Sequence, residues 1–189
     1  MIQARRKCIA EFIGTFALVF CGTGAIIIND ISAGNLDDKM MDVVAKNKVP
    51  YIMMHMRGTP KTMQQQTNYT DVLMNIKQYF AQKIALTRTK GISDLILDVG
   101  FGFSKTTNQN YELLSQLDLF QSIGIPILAG MSRKSMIYKI LETDAKNALN
   151  GTTILNTIAL TKGANILRVH DVKEAMECVS LVSQLKGNT

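Results

Sequence analysis

LILDVGFGFSKT, Leu95–Thr106, is the stretch whose reading decides the fold. Three apolar residues run into Asp98, and the turn Gly100-Phe101-Gly102 follows at once. A short apolar run bounded by turn residues reads as a buried strand. On either side the pattern is helical. Val72, Leu73, Ile76, Tyr79, Phe80 and Ile84 recur at helical spacing within 70–90. Tyr111, Leu113, Leu114, Leu117 and Phe120 do the same within 108–124. The motif is therefore a strand set between two helices.

The alternation extends in both directions. The apolar runs are AIIIND, PYIMMHM, LILDVG, PILAG and NILRVH. The spacing predicts helices over 36–47, 70–90, 108–124, 144–162 and 171–186. Gly91, Gly124 and Gly163 stand just past helices, where a left-handed residue closes the last turn. Such alternation implies an α/β fold of parallel strands with crossover helices. There is no internal repeat and no low-complexity segment.

Polar residues collect at the ends of these strands. AIII runs into Asn29 and Asp30, YIM into Met54, His55, Met56 and Arg57, and LIL into Asp98. ILAG runs into Ser132, Arg133 and Lys134, and NIL into Arg168, His170 and Asp171. Parallel α/β folds place ligands at the C-terminal ends of strands. Each residue also has a structural reading. Asp30 and Asp171 read first as helix N-caps. His55 and Met56 fill a layer of side chains, and His170 is a satisfied structural histidine. Gly100–Gly102 is a tight turn, and Ser132–Lys134 is a solvated face. Convergence of five strand ends on one rim is what favours a ligand site.

Composition excludes some classes. The net charge of +6 is spread along the chain, with no basic stripe carrying interleaved aromatics, so nucleic acid is not an expected partner. Cys8, Cys21 and Cys178 lack metal-site spacing, and so sparse a set suits a reducing, cytoplasmic setting.

Five motifs carry a family resemblance: INDISAG, MMHMRGTPKTMQ, LDVGFGFSKT, LAGMSRKSM and LRVHDV. In order and spacing they resemble the signatures of dihydropteroate synthases, from about residue 26 to residue 189. The resemblance implies a partial (β/α)8 TIM barrel holding strands four to eight. It implies transfer of 6-hydroxymethyl-7,8-dihydropterin from its diphosphate to 4-aminobenzoate, giving 7,8-dihydropteroate. Asn29 and Asp98 then look like the pair that reads the pterin edge. Met54 and Phe103 would line the slot for the ring, and Gly130 would let backbone approach the ligand. Lys134 would bond to the pterin. Arg168 would stack on the ring and, with His170, receive the diphosphate. Lys134, Arg168 and His170 are thus the expected catalytic groups. Ser132 and Arg133 would lie near the carboxylate of 4-aminobenzoate. Magnesium is the expected ion, held by diphosphate oxygens. The family is usually dimeric, so a homodimer is an expected assembly.

The sequence departs from the family at Val99, where Pro is frequent, and at Ala148, where Arg is common. More importantly, the family's first three strand–helix units have no counterpart here. With them go an asparagine that meets metal and diphosphate, an aspartate that reads the pterin, and two flexible loops.

Residues 1–28 read differently from 29–189. A basic head, MIQARRK, precedes CIAEFIGTFALVFCGTGAIII, which carries a single charge at Glu11. That apolar length is enough to span a bilayer as a helix, and burial in a core is the competing reading. A secretory signal fits less well, because Glu11 interrupts the apolar region early. AEFIGTFALVFCGTGAI resembles the first transmembrane helix of the aquaporin and glycerol-channel family, although the pore motifs are missing and no channel activity is implied. The expectation is thus an apolar N-terminal helix over 1–28, with membrane contact through residues 8–28, joined to a 29–189 pterin-binding domain. The join lies within GAIIIND, where membrane helix and barrel strand compete for the same residues. With exposed sheet edges as well, a poorly soluble or oligomeric chain of low synthase activity is expected.

Overall fold

The computed structural model describes residues 17–19 and 27–187. Its strands are β1 (Ala17–Val19), β2 (Ile28–Asp30), β3 (Tyr51–Met54), β4 (Leu95–Asp98), β5 (Ile127–Ala129) and β6 (Ile166–Leu167). They form a single sheet in chain order. β1 pairs antiparallel with β2, and β2 through β6 are parallel. The helices are α1 (Met40–Asn47), α2 (Val72–Thr89), α3 (Thr107–Ser115), α4 (Ser135–Tyr138), α5 (Leu149–Thr161) and α6 (Val172–Gly187). Parallel strands with crossover helices are what the alternation predicts, and the arrangement fits the partial TIM barrel that the resemblance implies.

Local chemistry sets the helix ends. Asp71 caps α2 by accepting the Met74 N–H at 2.8 Å. Thr106 and Gln109 form a reciprocal capping box at the start of α3. Three predicted stretches differ from the structure, the first being the helix expected over 36–47, which starts only at Met40. The helix expected over 108–124 breaks after Ser115 and continues as 3-10 turns over Leu117–Ile123. Buried Leu117 and Phe120 lie three apart, the repeat of that tighter helix. The helix expected from 144 starts only at Leu149, because Arg133 Nη1 holds the carbonyls of Ala145 and Lys146.

The N-terminal expectation is corrected where it can be read. Ala17–Val19, expected in an apolar helix, is a strand, with Leu18 in register with Asn29. Hydropathy alone does not separate a spanning helix from an apolar strand, and pairing along β2 decides it here. The rest of the expected helix, residues 1–16 and 20–26, lies outside the described residues, and Ile28 belongs to β2. Among the described residues, no helix is long and apolar enough to cross a membrane.

Register assigns the faces of the sheet. Tyr51, Met53, Leu95, Leu97, Ile127 and Ala129 join the main core with Ile76, Phe80, Leu113, Phe120 and Leu155 from the helices. Burying each larger side chain in that layer contributes about 1.5–3 kcal/mol. The alternate residues Ile52, Ile96 and Leu128 pack together on the opposite face with Ile27 and Ile166. Because alternation has period two, the residues that follow along this face are Asn29, Met54, Asp98, Gly130 and Arg168. Those five positions sit at the C-terminal end of the sheet.

Asp30 points to the other face and is not the cap of α1. Its carboxylate accepts the Tyr51 hydroxyl at 2.7 Å, the Ser32 N–H at 2.8 Å and hydroxyl at 2.7 Å, and the Gly34 N–H at 2.6 Å. Burial, with Asp30 beside it, pushes the Tyr51 hydroxyl far above its ordinary pKa. The fully buried carboxylate fixes the turn that leaves β2.

Candidate functional site

The rim is organised around Asp98, whose residue surface is fully buried. One carboxylate oxygen, Oδ1, accepts the Gly100 N–H at 2.8 Å. The other, Oδ2, lies 2.8 Å from Arg168 Nη1. That contact is close enough for an ion pair but out of line for a hydrogen bond, so Oδ2 has no hydrogen-bond partner. The Arg168 charge compensates this oxygen, while its capacity to accept a hydrogen bond remains for a ligand donor. Arg168 Nη1 also donates to Asn29 Oδ1 at 3.1 Å. Asn29, Asp98 and Arg168, from three separate strand ends, therefore meet.

Glycines make this meeting sterically feasible. A Cβ on Gly130 would stand 2.7 Å from Arg168 Nη2, so the guanidinium lies against bare backbone. Here the small residue makes room for Arg168. Gly100 has φ +72°, and a Cβ there would meet the His55 carbonyl oxygen at 2.1 Å. Any side chain at that position would displace the turn.

The remaining predicted residues divide into two groups. Met54 shares an apolar cluster with Ile31, Met56, Met63 and Phe103. The Lys134 ammonium lies 4.8 Å from the centroid of the Phe103 ring and donates to the Phe101 carbonyl. Desolvation pushes Lys134 down to about 8; Asp98 opposes the shift and Arg168 adds to it. Met54, Phe103 and Lys134 thus belong with the Asp98 turn.

Ser132, Arg133 and His170 are engaged elsewhere. Arg133 forms a bidentate pair with Asp171, at 2.8 Å and 2.9 Å, besides holding two loop carbonyls. Asp171 immediately precedes α6, yet its carboxylate serves Arg133, and the hydrogen bond with Arg133 holds its pKa below the ordinary value. Ser132 Oγ lies 2.9 Å from His170 Nδ1 and accepts the His170 N–H at 3.2 Å. Most of the donors of Arg133, and the Ser132 hydroxyl, thus serve groups of this chain, with one Nη2 N–H of Arg133 in excess of these bonds.

Sequence reading missed Lys105, although it falls inside the deciding motif. It is 4% exposed, and its ammonium reaches Gly100 O at 3.0 Å, Phe103 O at 3.0 Å and His55 Nδ1 at 3.2 Å. Desolvation pushes Lys105 down to about 7, opposed by Asp98 and reinforced by Lys134 and Arg57. His55 lies well below its ordinary value through burial, with Lys105 and Arg57 adding to the shift. His55 both packs, with its ring edge-on to Tyr79 at 4.9 Å, and meets the Lys105 ammonium through Nδ1, so it is more than a layer filler.

Comparison with known proteins agrees with this fold. Dihydropteroate synthase of Escherichia coli strain K12 is 42% identical over 161 residues, covering 84% of this chain and 57% of the relative. The synthase of a Synechocystis strain is 43% identical over 163 residues, covering 85% and 56%. A crystal structure of Yersinia pestis dihydropteroate synthase in a sulfonamide drug complex superimposes with a TM-score of 0.84 at 36% identity, covering 86% of this chain and 60% of that one. The chain thus spans rather more than half the length of the curated relatives it matches. The family described as pterin binding enzyme matches residues 17–170, beginning inside the stretch that resembles a channel helix and giving that resemblance no support. With a match over most of its length, this chain belongs to the pterin-binding enzyme family.

Proposed function

We propose that the chain works as a dihydropteroate synthase, condensing 6-hydroxymethyl-7,8-dihydropterin diphosphate with 4-aminobenzoate to give 7,8-dihydropteroate and diphosphate. The observation that carries this reading is the buried Asp98 Oδ2, ion-paired with Arg168 beside Asn29 but accepting no hydrogen bond. A pterin presents amino and ring N–H donors on one edge, and a buried carboxylate is their complement. In this proposal Asn29 and Asp98 read that edge, and Met54 and Phe103 bound the ring. Gly130 gives Arg168 the room to lie along the ring.

The reaction needs no enzyme nucleophile. The amine nitrogen of 4-aminobenzoate bonds to the pterin methylene carbon, the carbon–oxygen bond to diphosphate breaks, and the amine loses a proton. The protein's part is positioning and stabilisation of the departing anion. Lys134, Arg168 and His170 supply positive or hydrogen-bonding character for that purpose. Magnesium belongs to this reading as a partner of the diphosphate. Among the described residues, no group of three or more His, Cys, Asp or Glu side chains is placed to hold a metal ion, so the diphosphate oxygens would be its main ligands.

A second reading has its own support. Ser132 and Arg133, the side chains expected for 4-aminobenzoate, are committed to His170 and Asp171. That favours a chain that holds pterin without turning it over. The division into a 1–28 segment and a 29–189 pterin-binding domain, a homodimer, and a cytoplasmic location stand with these proposals.

A diphosphate-release assay with both substrates and magnesium distinguishes the readings. Release that requires both substrates supports the synthase. Pterin binding with no release supports the binder, and absence of pterin binding contradicts both.

A further inference from the structure

We propose that Lys105 is a positioning residue for the rim, tying the Gly100–Phe103 turn to His55 and so fixing the groups that meet the ligand. The inference rests on the pterin reading given above. An ammonium has three donors, and the Lys105 ammonium has three acceptors: the carbonyls of Gly100 and Phe103 and the Nδ1 of His55. The first two are the ends of one tight turn, and Phe103 N–H also bonds to Gly100 O at 3.1 Å. The third lies on the segment leaving β3, whose His55 N–H bonds to Asp98 O at 2.9 Å. One side chain therefore staples a turn to the neighbouring strand end.

That turn carries three elements of the candidate site. The Gly100 N–H holds Asp98 Oδ1, the Phe101 carbonyl receives Lys134, and the Phe103 ring lies beside Lys134. Lys105 does not need to touch a ligand in order to set these positions. Its burial is otherwise unexplained, because a lysine at 4% exposure is rare unless its ammonium is paired. Gly100 and Gly102 are left-handed, at φ +72° and +80°, a conformation that glycine permits without strain but does not by itself enforce.

The test compares wild type with Lys105→Met and the milder Lys105→Gln, which serves if the first does not fold. Hydrogen exchange over residues 99–104 is read beside exchange in α2 and α5, and pterin affinity is titrated on the same samples. Exchange in 99–104 is expected to accelerate at least about tenfold with little change in the helices, and pterin affinity to fall about tenfold. Unchanged exchange in 99–104, or equal acceleration throughout, overturns the assignment. So does a loosened turn with unchanged affinity. Wild type that binds no pterin overturns the ligand reading instead, while exchange still reports separately on the staple.

Discussion

Replacing Arg168 by methionine removes the guanidinium from beside Asp98 while keeping most of the stem's volume. Asp98 is fully buried, so the substitution leaves a desolvated carboxylate whose remaining hydrogen bond is the one from Gly100. Breaking a buried ion pair from one side costs about 3–5 kcal/mol. Lys105 and Lys134 both feel the charge of Asp98, which places the expected loss at the lower end, about 3 kcal/mol. For a chain of this size that is a drop in Tm of about 6–12 °C. The double variant Arg168→Met/Asp98→Asn removes the orphaned charge and is expected to recover at least about 1 kcal/mol relative to additivity. Urea unfolding of wild type, both single variants and the double variant measures this coupling. A loss under about 1 kcal/mol in Arg168→Met, or strict additivity in the double variant, would refute the picture of a mutually dependent pair.

Gly100→Ala forces a side chain into the left-handed region and against the His55 carbonyl, so a loss above about 2 kcal/mol is expected in thermal melts. Gly130→Ala presses on the Arg168 guanidinium that pairs with Asp98, so a stability loss smaller than that of Arg168→Met is expected, together with a pterin affinity about tenfold weaker. Asp71→Ala removes the α2 cap and should cost about 1 kcal/mol with no change in pterin binding. Lys105 and Lys134 titrate lower in the folded chain, near 7 and 8, than in the unfolded chain. Between those values and their ordinary range the unfolded state binds more protons, so stability should rise from pH 7 to pH 9.5. The pH dependence of urea midpoints checks this, and Lys105→Met should flatten the slope.

The strands were legible because each is a short buried run closed by turn residues, and the face assignment of Asn29, Met54, Asp98, Gly130 and Arg168 follows from period-two alternation. Less legible was anything decided by a distant partner. Arg133 reads by type as a carboxylate binder, but its carboxylate is Asp171, on the segment entering α6. Asp30 reads as a cap until Tyr51 and the Ser32–Gly34 turn are brought to it. The delayed start of α5 depends on the same Arg133 side chain. At Ala17–Val19, apolar composition is equally suited to helix and strand, and only pairing with β2 separates them. Lys105 carries no local sign of burial, since its three acceptors come from a turn and a neighbouring strand end.

Calorimetric titration of a pterin into wild type and Asp98→Asn bears most directly on the ligand assigned to this rim. The carboxylate's hydrogen bonds to pterin donors are each worth about 1.5–3 kcal/mol, so the variant should bind about a hundredfold or more weakly while keeping its fold. Equal affinity in the two proteins would mean that the open Asp98 oxygen does not receive the pterin.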